Sequence, residues 1–180
     1  NDEFQLTRVV AMSGKLSGYG GARAVVVDGH LCYGAQGFAG QHGWAEPTPH
    51  RGPEMENMEA EIARTGGPAA YFRRLREGDG RALDLYRKAV ENYGSRAAHV
   101  INDLNPDRLL LYTAYAALGQ RFLDDVRAEA GKRAAPVNME GLEIAFGGAR
   151  TDEEHLAAAA MPLLMEFFEK GDLEAPELKR

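Results

Sequence analysis

The sequence predicts a single α/β domain in which helices flank a mixed β-sheet. Three observations support this fold class: short β-branched and apolar runs open the chain, a long stretch of helical periodicity follows, and apolar runs then alternate with helical patterns. Such an alternation is typical of a sheet covered by helices. The chain has 180 residues, of which 44% are hydrophobic. We therefore expect residues 1–180 to form one domain around one sizeable core.

The first elements are predicted to be strands that pair antiparallel. Residues 7–12 and 22–28 are rich in valine and other apolar residues, and a glycine-rich, turn-forming stretch separates them. Asp28 and Gly29 favour a tight turn with positive φ angles. We therefore expect residues 30–33 to return as the partner strand of a hairpin.

Residues 34–53 are predicted to form an irregular loop region. Four glycines recur there at a three-residue spacing, and three prolines follow within a few positions. Neither pattern fits a helix or a regular strand. Because loops on a rigid scaffold often carry binding residues, this region is a candidate for ligand contact.

The remainder of the chain alternates between helices and short strands. The longest periodic stretch is 81–104, where apolar residues from Leu85 to Ile101 recur at helical spacing, interrupted only by Gly94, so we expect one long helix or two abutting helices. Asn105 and Pro106 are expected to end that helix. The other predicted helices are 55–64, 68–76, 118–130 and 152–169, the last kinked at Pro162, and the other strands are 108–112 and 142–146. Residues 170–180 are expected to form a loose tail.

Composition argues against several classes of function. The formal net charge is −6 and the isoelectric point is about 5.4, which disfavours a domain that binds nucleic-acid backbones directly. Cys32 is the single cysteine, which excludes an internal disulfide and fits a reducing compartment. No apolar run approaches the roughly 20 residues of a membrane helix, and no leader pattern opens the sequence. We expect a soluble, cytoplasmic protein without membrane contact.

Several segments, in order along the chain, resemble the ROK family of sugar kinases and transcriptional repressors. The family's glycine-rich turn and hairpin are similar to GYGGARAVVVDG (18–29), and its next glycine loop is similar to GAQGFAG (34–40). The junction after its long helix is similar to INDLNPDRLLL (101–111), and the following helix to residues 118–130. The resemblance implies the C-terminal lobe of an actin-like ATPase (ribonuclease H-like) fold.

The sequence departs from the family at the sugar and zinc positions. The family ends its glycine loop with Glu-x-Gly-His, which holds sugar hydroxyls, and the matching residues here are Gln41, His42, Gly43 and Trp44. An amide can still bind a hydroxyl, and an indole can stack on a sugar ring. Glu59 keeps the residue type of a third family sugar contact, although an acidic cluster at a helix start also suits the helix dipole without any ligand. The family's zinc cysteines are absent from residues 49–59, so we predict no metal.

The nucleotide positions have changed too. Family kinases follow the strand that matches residues 108–112 with two glycines, which let the backbone approach the nucleotide closely. Tyr112 and Thr113 stand there in this chain. The family's catalytic aspartate belongs to the N-terminal lobe, which this sequence does not match. We therefore predict no catalytic residue and no cofactor.

Three functions stay open from the sequence. The first is an effector-binding and dimerisation lobe of a sugar-responsive ROK regulator, with Gln41, Trp44 and Glu59 as candidate contacts for a sugar or sugar phosphate. Its partners would be an N-terminal lobe and a DNA-binding domain, and we expect a homodimer built on the long helix between Leu85 and Ile101. The second is one lobe of a ROK sugar kinase. The third is a non-catalytic protein-interaction module in which Trp44 and Tyr112 fill the old cleft.

Overall fold

A computed structural model describes residues 7–18, 23–32 and 53–148 of the chain and shows a mixed sheet with helices on one face. The strands are β1 (Arg8–Ser13), β2 (Arg23–Val27), β3 (His30–Leu31), β4 (Arg108–Tyr112) and β5 (Glu143–Phe146). The helices are α1 (Pro53–Arg64), α2 (Gly67–Arg76), α3 (Gly80–Leu104), α4 (Gln120–Gly131) and α5 (Pro136–Met139), and a 3-10 helix (Ala114–Leu118) precedes α4.

The strand order of the sheet is β3-β2-β1-β4-β5. β1, β4 and β5 run parallel, whereas β2 and β3 are antiparallel additions at one side. Ser13 pairs with Tyr112, and Leu111 pairs with Phe146. The carboxyl ends of three neighbouring strands therefore meet at one edge of the sheet, called here the carboxyl edge.

The larger core cluster lies between the sheet and the helices. Alternate residues of β1 such as Val10 and Met12 point toward it, as the two-residue period of a strand requires. α3 continues through Gly94 as one unbroken helix. Because Gly94 has no side chain, α4 can approach α3 closely at this position. A Cβ atom at Gly94 would lie 2.5 Å from the Cβ of Glu129.

The opposite face of the sheet is also buried. Its cluster consists of strand residues, with Val9, Ala11 and Val26 each at most 1% exposed. Among the described residues no helix contributes to this cluster. The predicted helix 152–169, with its kink at Pro162, and the tail lie outside the described part of the chain.

The ends of α3 follow ordinary capping chemistry. The Asp79 side chain accepts a hydrogen bond from the Ala82 N–H at 2.8 Å and so caps the helix start. Asn105 adopts the left-handed conformation, with φ of 42°, and ends the helix before Pro106. The hairpin turn likewise has positive φ at Asp28 (49°) and Gly29 (73°), as predicted.

The predicted fold class, a mixed sheet flanked by helices, is confirmed, as are the strands and helices that fall in the described residues. The exceptions are small. The 3-10 helix at Ala114–Leu118 and the short α5 were not predicted, and Pro53, assigned to the loop region, begins α1 instead. Proline suits a first helical position because its missing N–H would have no partner there.

The structure restricts where on α3 a second copy of the chain could bind. The apolar residues of α3 between Leu85 and Ile101 face the chain's own core, where Leu85 is 4% and Ile101 0% exposed. They are therefore unavailable for an interface with a second copy. In the described part of the chain, Val137 is the single large apolar side chain that is strongly exposed, at 68%.

None of the helices in the described ranges combines the length and the apolar character that crossing a bilayer requires.

Candidate functional site

The carboxyl edge is the candidate site, because open sheets with parallel strands bind ligands in the crevice beyond the strand ends. Residues 14–18, called here the 14–18 loop, leave β1 at this edge. Tyr112 and Thr113 leave β4 beside them, and Gly147 follows β5. The Gly147 N–H donates to the Leu111 carbonyl at 3.0 Å, which continues the sheet pairing to this point.

α3 holds the 14–18 loop from behind through three side chains. The Arg96 guanidinium donates to the carbonyls of Ser13 (3.0 Å) and Gly18 (2.8 Å). The Asn92 amide donates to the Ser17 carbonyl at 2.7 Å, and the Tyr93 hydroxyl donates to the Lys15 carbonyl at 3.0 Å. The carbonyls of Lys15, Ser17 and Gly18 are therefore hydrogen-bonded from within the protein.

A buried aromatic cluster supports the same loop. Tyr115 donates from its hydroxyl to the Leu16 carbonyl at 2.8 Å and shares a 3.0 Å hydrogen bond with the Tyr71 hydroxyl. Its ring stacks on Phe122 at a centroid distance of 4.7 Å. Burial raises the pKa of Tyr71 and of Tyr93 to about 12, and it raises the pKa of Tyr115 as well. These hydroxyls stay protonated near neutral pH, and those of Tyr93 and Tyr115 donate hydrogen bonds to the loop.

Glu59 reaches the loop from the other side. This half-buried residue of α1 accepts a hydrogen bond through Oε1 from the Ser17 N–H at 2.6 Å. A carboxylate has two oxygens and several acceptor directions, so the bond to Ser17 leaves Oε2 with capacity for a ligand hydroxyl. The structure gives Glu59 a role in holding the loop, and its predicted sugar contact stays a prediction.

Tyr112 and Thr113, the two predicted nucleotide positions, are both engaged in packing. A Cβ atom at Gly147 would lie 2.1 Å from Cζ of Tyr112, so the tyrosine ring lies directly against this glycine. The Thr113 hydroxyl lies 2.8 Å from the Tyr93 hydroxyl and donates to it, since the Tyr93 proton is directed to Lys15, and it accepts the Tyr115 N–H at 3.3 Å to cap the 3-10 helix. The glycine at this edge accommodates an aromatic ring.

The other candidate contacts, Gln41 and Trp44, lie outside the described residues, as does most of the predicted glycine and proline loop. Of the three effector candidates the structure therefore shows only Glu59. Within ranges 7–18, 23–32 and 53–148, no group of three or more His, Cys, Asp or Glu side chains is placed to hold a metal ion. Cys32 is exposed.

Sequence reasoning missed the side chains that hold the 14–18 loop. Asn92 and Arg96 lie 75 or more positions beyond the loop residues that they bind. In the sequence they are polar residues on the less apolar side of an amphipathic helix, which is also the pattern of a solvent-exposed face. Only the one-turn spacing of Asn92 and Arg96 marks them as sharing a face.

A second recess lies at the opposite, amino end of β1, between the sheet and the end of α3. Its volume is about 400 Å³. Three valines form its apolar floor, and the recess is lined by Arg8, Val10, Val25, Val27, Asp103, Leu104 and Asn105. The backbone N–H of Arg8 donates to Asp107, whereas its guanidinium has no hydrogen-bond or ion-pair partner among the described residues.

Comparisons with known proteins connect this geometry to one fold. No family model matches the sequence, and a search of curated proteins found no match. A solved ROK family transcriptional regulator, a homologue of the E. coli MLC protein, is similar with a TM-score of 0.58 and 17% identity, over 91% of this chain and 47% of its own. A putative sugar kinase from Cytophaga hutchinsonii is similar with a TM-score of 0.64 and 13% identity, over 87% of this chain and 58% of its own.

This is the fold of a ROK lobe. A third match, a ROK family protein from Streptococcus pneumoniae in complex with sucrose, agrees, with a TM-score of 0.61, 12% identity, and coverage of 92% of this chain and 61% of its own. The chain spans about half to three fifths of the length of these structures. In the chain described here, the edge beyond the parallel strands combines a loop held by hydrogen bonds with packed tyrosines.

Proposed function

We propose that this chain is the effector-binding and dimerisation lobe of a ROK-type, sugar-responsive transcriptional regulator, and that it does not itself bind DNA. One observation carries the proposal: the Tyr112 ring lies against Gly147 at the edge where a ROK kinase would admit its nucleotide. A ring in van der Waals contact with the backbone removes the close approach that glycine-rich nucleotide loops provide.

The neighbouring Thr113 supports the same assignment. Its hydroxyl is engaged by Tyr93 and by the 3-10 helix, so it points into the protein. Glu59, in contrast, retains a carboxylate oxygen for a ligand while its other oxygen binds Ser17. A lobe that has lost nucleotide access and kept a hydroxyl-binding carboxylate suits sugar sensing without phosphoryl transfer. The proposed effector is a sugar or sugar phosphate contacted by Glu59, Gln41 and Trp44.

The alternative function is one lobe of a ROK sugar kinase, since a putative sugar kinase is among the similar structures. Phosphoryl transfer needs a nucleotide site, a base and a metal-bound phosphate. The two functions therefore differ in one measurable property, the binding of ATP. A non-catalytic interaction module would bind neither sugar nor ATP.

The deciding experiment is calorimetric titration of the chain with hexoses, N-acetylated hexosamines, their phosphates and Mg-ATP. We expect heat from at least one sugar, none from Mg-ATP, and loss of the sugar heat in Glu59→Ala. Glu140→Ala is the matched control, because Glu140 is an exposed carboxylate outside the carboxyl edge. Binding heat from Mg-ATP would favour the kinase. The absence of binding heat with every compound would favour the interaction module.

The proposal also includes a cytoplasmic homodimer that works with an N-terminal lobe and a DNA-binding domain. Because α3 buries its apolar face internally, a dimer built on this helix would use its exposed polar face. Sedimentation of the chain over a range of concentrations tests this part, and a monomer throughout would reject it.

A further inference from the structure

Among the side chains that hold the 14–18 loop, Arg96 bonds to both of its ends. Arg96 donates through Nη2 to the carbonyl of Ser13, the last residue of β1, and through Nη1 to the carbonyl of Gly18. These two carbonyls flank the loop. A guanidinium can satisfy both because its donors are fixed in a plane, whereas a lysine ammonium is a point charge on a flexible stem.

The peptide groups of Ser17 lie between two helices. Its carbonyl accepts from Asn92 of α3 at 2.7 Å, and its N–H donates to Glu59 of α1 at 2.6 Å. Asn92 and Arg96 are one helical turn apart and act from the same face of α3. The orientation of the Glu59 carboxylate therefore depends on where α3 holds Ser17.

We propose that Arg96 is a positioning residue for the Glu59 carboxylate. Arg96 fixes the 14–18 loop, and the Ser17 N–H of that loop sets the orientation of the Glu59 side chain. The consequence for a ligand rests on the proposed function, in which Glu59 binds a sugar hydroxyl. The positioning of Glu59 by Arg96 does not depend on the proposed function, since the bonds from Arg96 to the loop and from the loop to Glu59 exist without any ligand.

The first test measures amide hydrogen exchange by NMR in the ligand-free protein. In Arg96→Met we expect the Ser17 and Gly18 amides to exchange roughly tenfold faster or more, because a charge-assisted bond to each end of the loop is lost. Arg96→Lys should recover only part of this protection. Arg87→Met is the control, since Arg87 lies exposed on the same helix and pairs with Asp84. Its loop exchange should match the wild type.

Exchange at buried amides of β4 separates loop opening from a general loss of stability. If Arg96→Met accelerates exchange at the Ser17 and Gly18 amides no more than at the Leu110 amide, Arg96 stabilises the whole fold and the proposal is overturned. The same holds if Arg96→Lys protects the loop as well as arginine does.

A double-mutant cycle tests the link to Glu59. Glu59→Ala and Arg96→Met should each accelerate exchange at Ser17, and the double variant should accelerate it by clearly less than the product of the two factors. A multiplicative effect would show independent action and overturn the proposal. The cycle is measured without sugar. Its result is therefore independent of whether the calorimetric titration detects sugar binding.

Discussion

The two ends of β1 show opposite ways of finishing a sheet. At the carboxyl edge the 14–18 loop is bonded by side chains from α1, α3 and the 3-10 helix, and tyrosine rings contact glycines. At the amino end the sheet borders an open recess of about 400 Å³ with an apolar floor. The proposed function places the ligand at the first edge, which has the more extensive hydrogen bonding of the two.

The difference teaches what glycines do in this lobe. Glycine at a strand end is commonly read as space for a ligand, because it lets the backbone approach closely. Here Gly147 faces the Tyr112 ring, and a Cβ atom at Gly14 would lie 2.5 Å from the Tyr93 hydroxyl oxygen. The same residue type therefore serves internal packing at the edge where a nucleotide loop would need it open.

The largest expected effect comes from emptying the aromatic cluster. Tyr115 is 0% exposed and contacts several other rings, so Tyr115→Ala should lower the free energy of unfolding by about 4 kcal/mol. Tyr115→Phe keeps the ring but loses the bond to Leu16, and should cost about 1 to 2 kcal/mol. Urea unfolding measures both. If Tyr115→Ala lowered the unfolding free energy by less than Tyr115→Phe does, the aromatic cluster would not stabilise the carboxyl edge as described above.

Alkaline pH should weaken the same edge. Burial raises the pKa of Tyr71 and Tyr93 to about 12, above the ordinary value near 10. Below pH 10 both states keep the protons, whereas between pH 10 and 12 the unfolded chain releases them first, so the stabilisation is progressively lost. At pH 11 each group should cost about 1.4 kcal/mol of unfolding free energy. Urea unfolding at pH 8 and pH 11 measures the loss of unfolding free energy, which should be smaller in Tyr71→Phe than in the wild type by about that amount. An equal loss in the variant and the wild type would contradict the raised pKa of Tyr71.

The fold was largely predictable because its signals are local. The strand at Arg108–Tyr112 is a continuous apolar run before a helical pattern, and its observed bounds are those predicted. The Asp28-Gly29 turn needs only two adjacent residues, and both have the positive φ angles that the pair predicts. Periodicity, turn chemistry and proline positions carry this information within short windows.

The candidate site was less predictable because its bonds join distant positions. Glu59 could be selected by residue type, but its bond to Ser17 spans 42 positions. Arg96 offered no signal of its own, since an arginine on a helix is usually solvated. The dimer predicted on α3 stays a prediction, but the apolar residues of this helix cannot form it because α4 and the sheet bury them. Apolar periodicity reports burial and does not name the partner.

Filling one glycine should give an intermediate effect. A methyl group at position 14 would approach the Tyr93 ring end to 2.5–2.9 Å, and that ring is 0% exposed and hydrogen-bonded, so it has little room to move. Gly14→Ala should therefore cost about 2 kcal/mol by overpacking. Gly80→Ala is the matched control, because no atom lies within 4 Å of its added Cβ. In a Tyr93→Leu background the cost of Gly14→Ala should fall, and an unchanged cost would locate the clash elsewhere.

The smallest effect is expected at the amino end, where Arg8 borders the recess. Its backbone N–H donates to Asp107 Oδ2 at 2.7 Å, and this bond survives any change of side chain. Arg8→Met keeps the aliphatic stem over the valine floor and removes a charge without a bonding partner in the described part of the chain. Urea unfolding should therefore show a change within about 0.5 kcal/mol. Because Arg96→Met removes an equivalent charge at the carboxyl edge, a comparable loss in both variants would mean that the two ends of β1 are held alike and would remove the contrast between them.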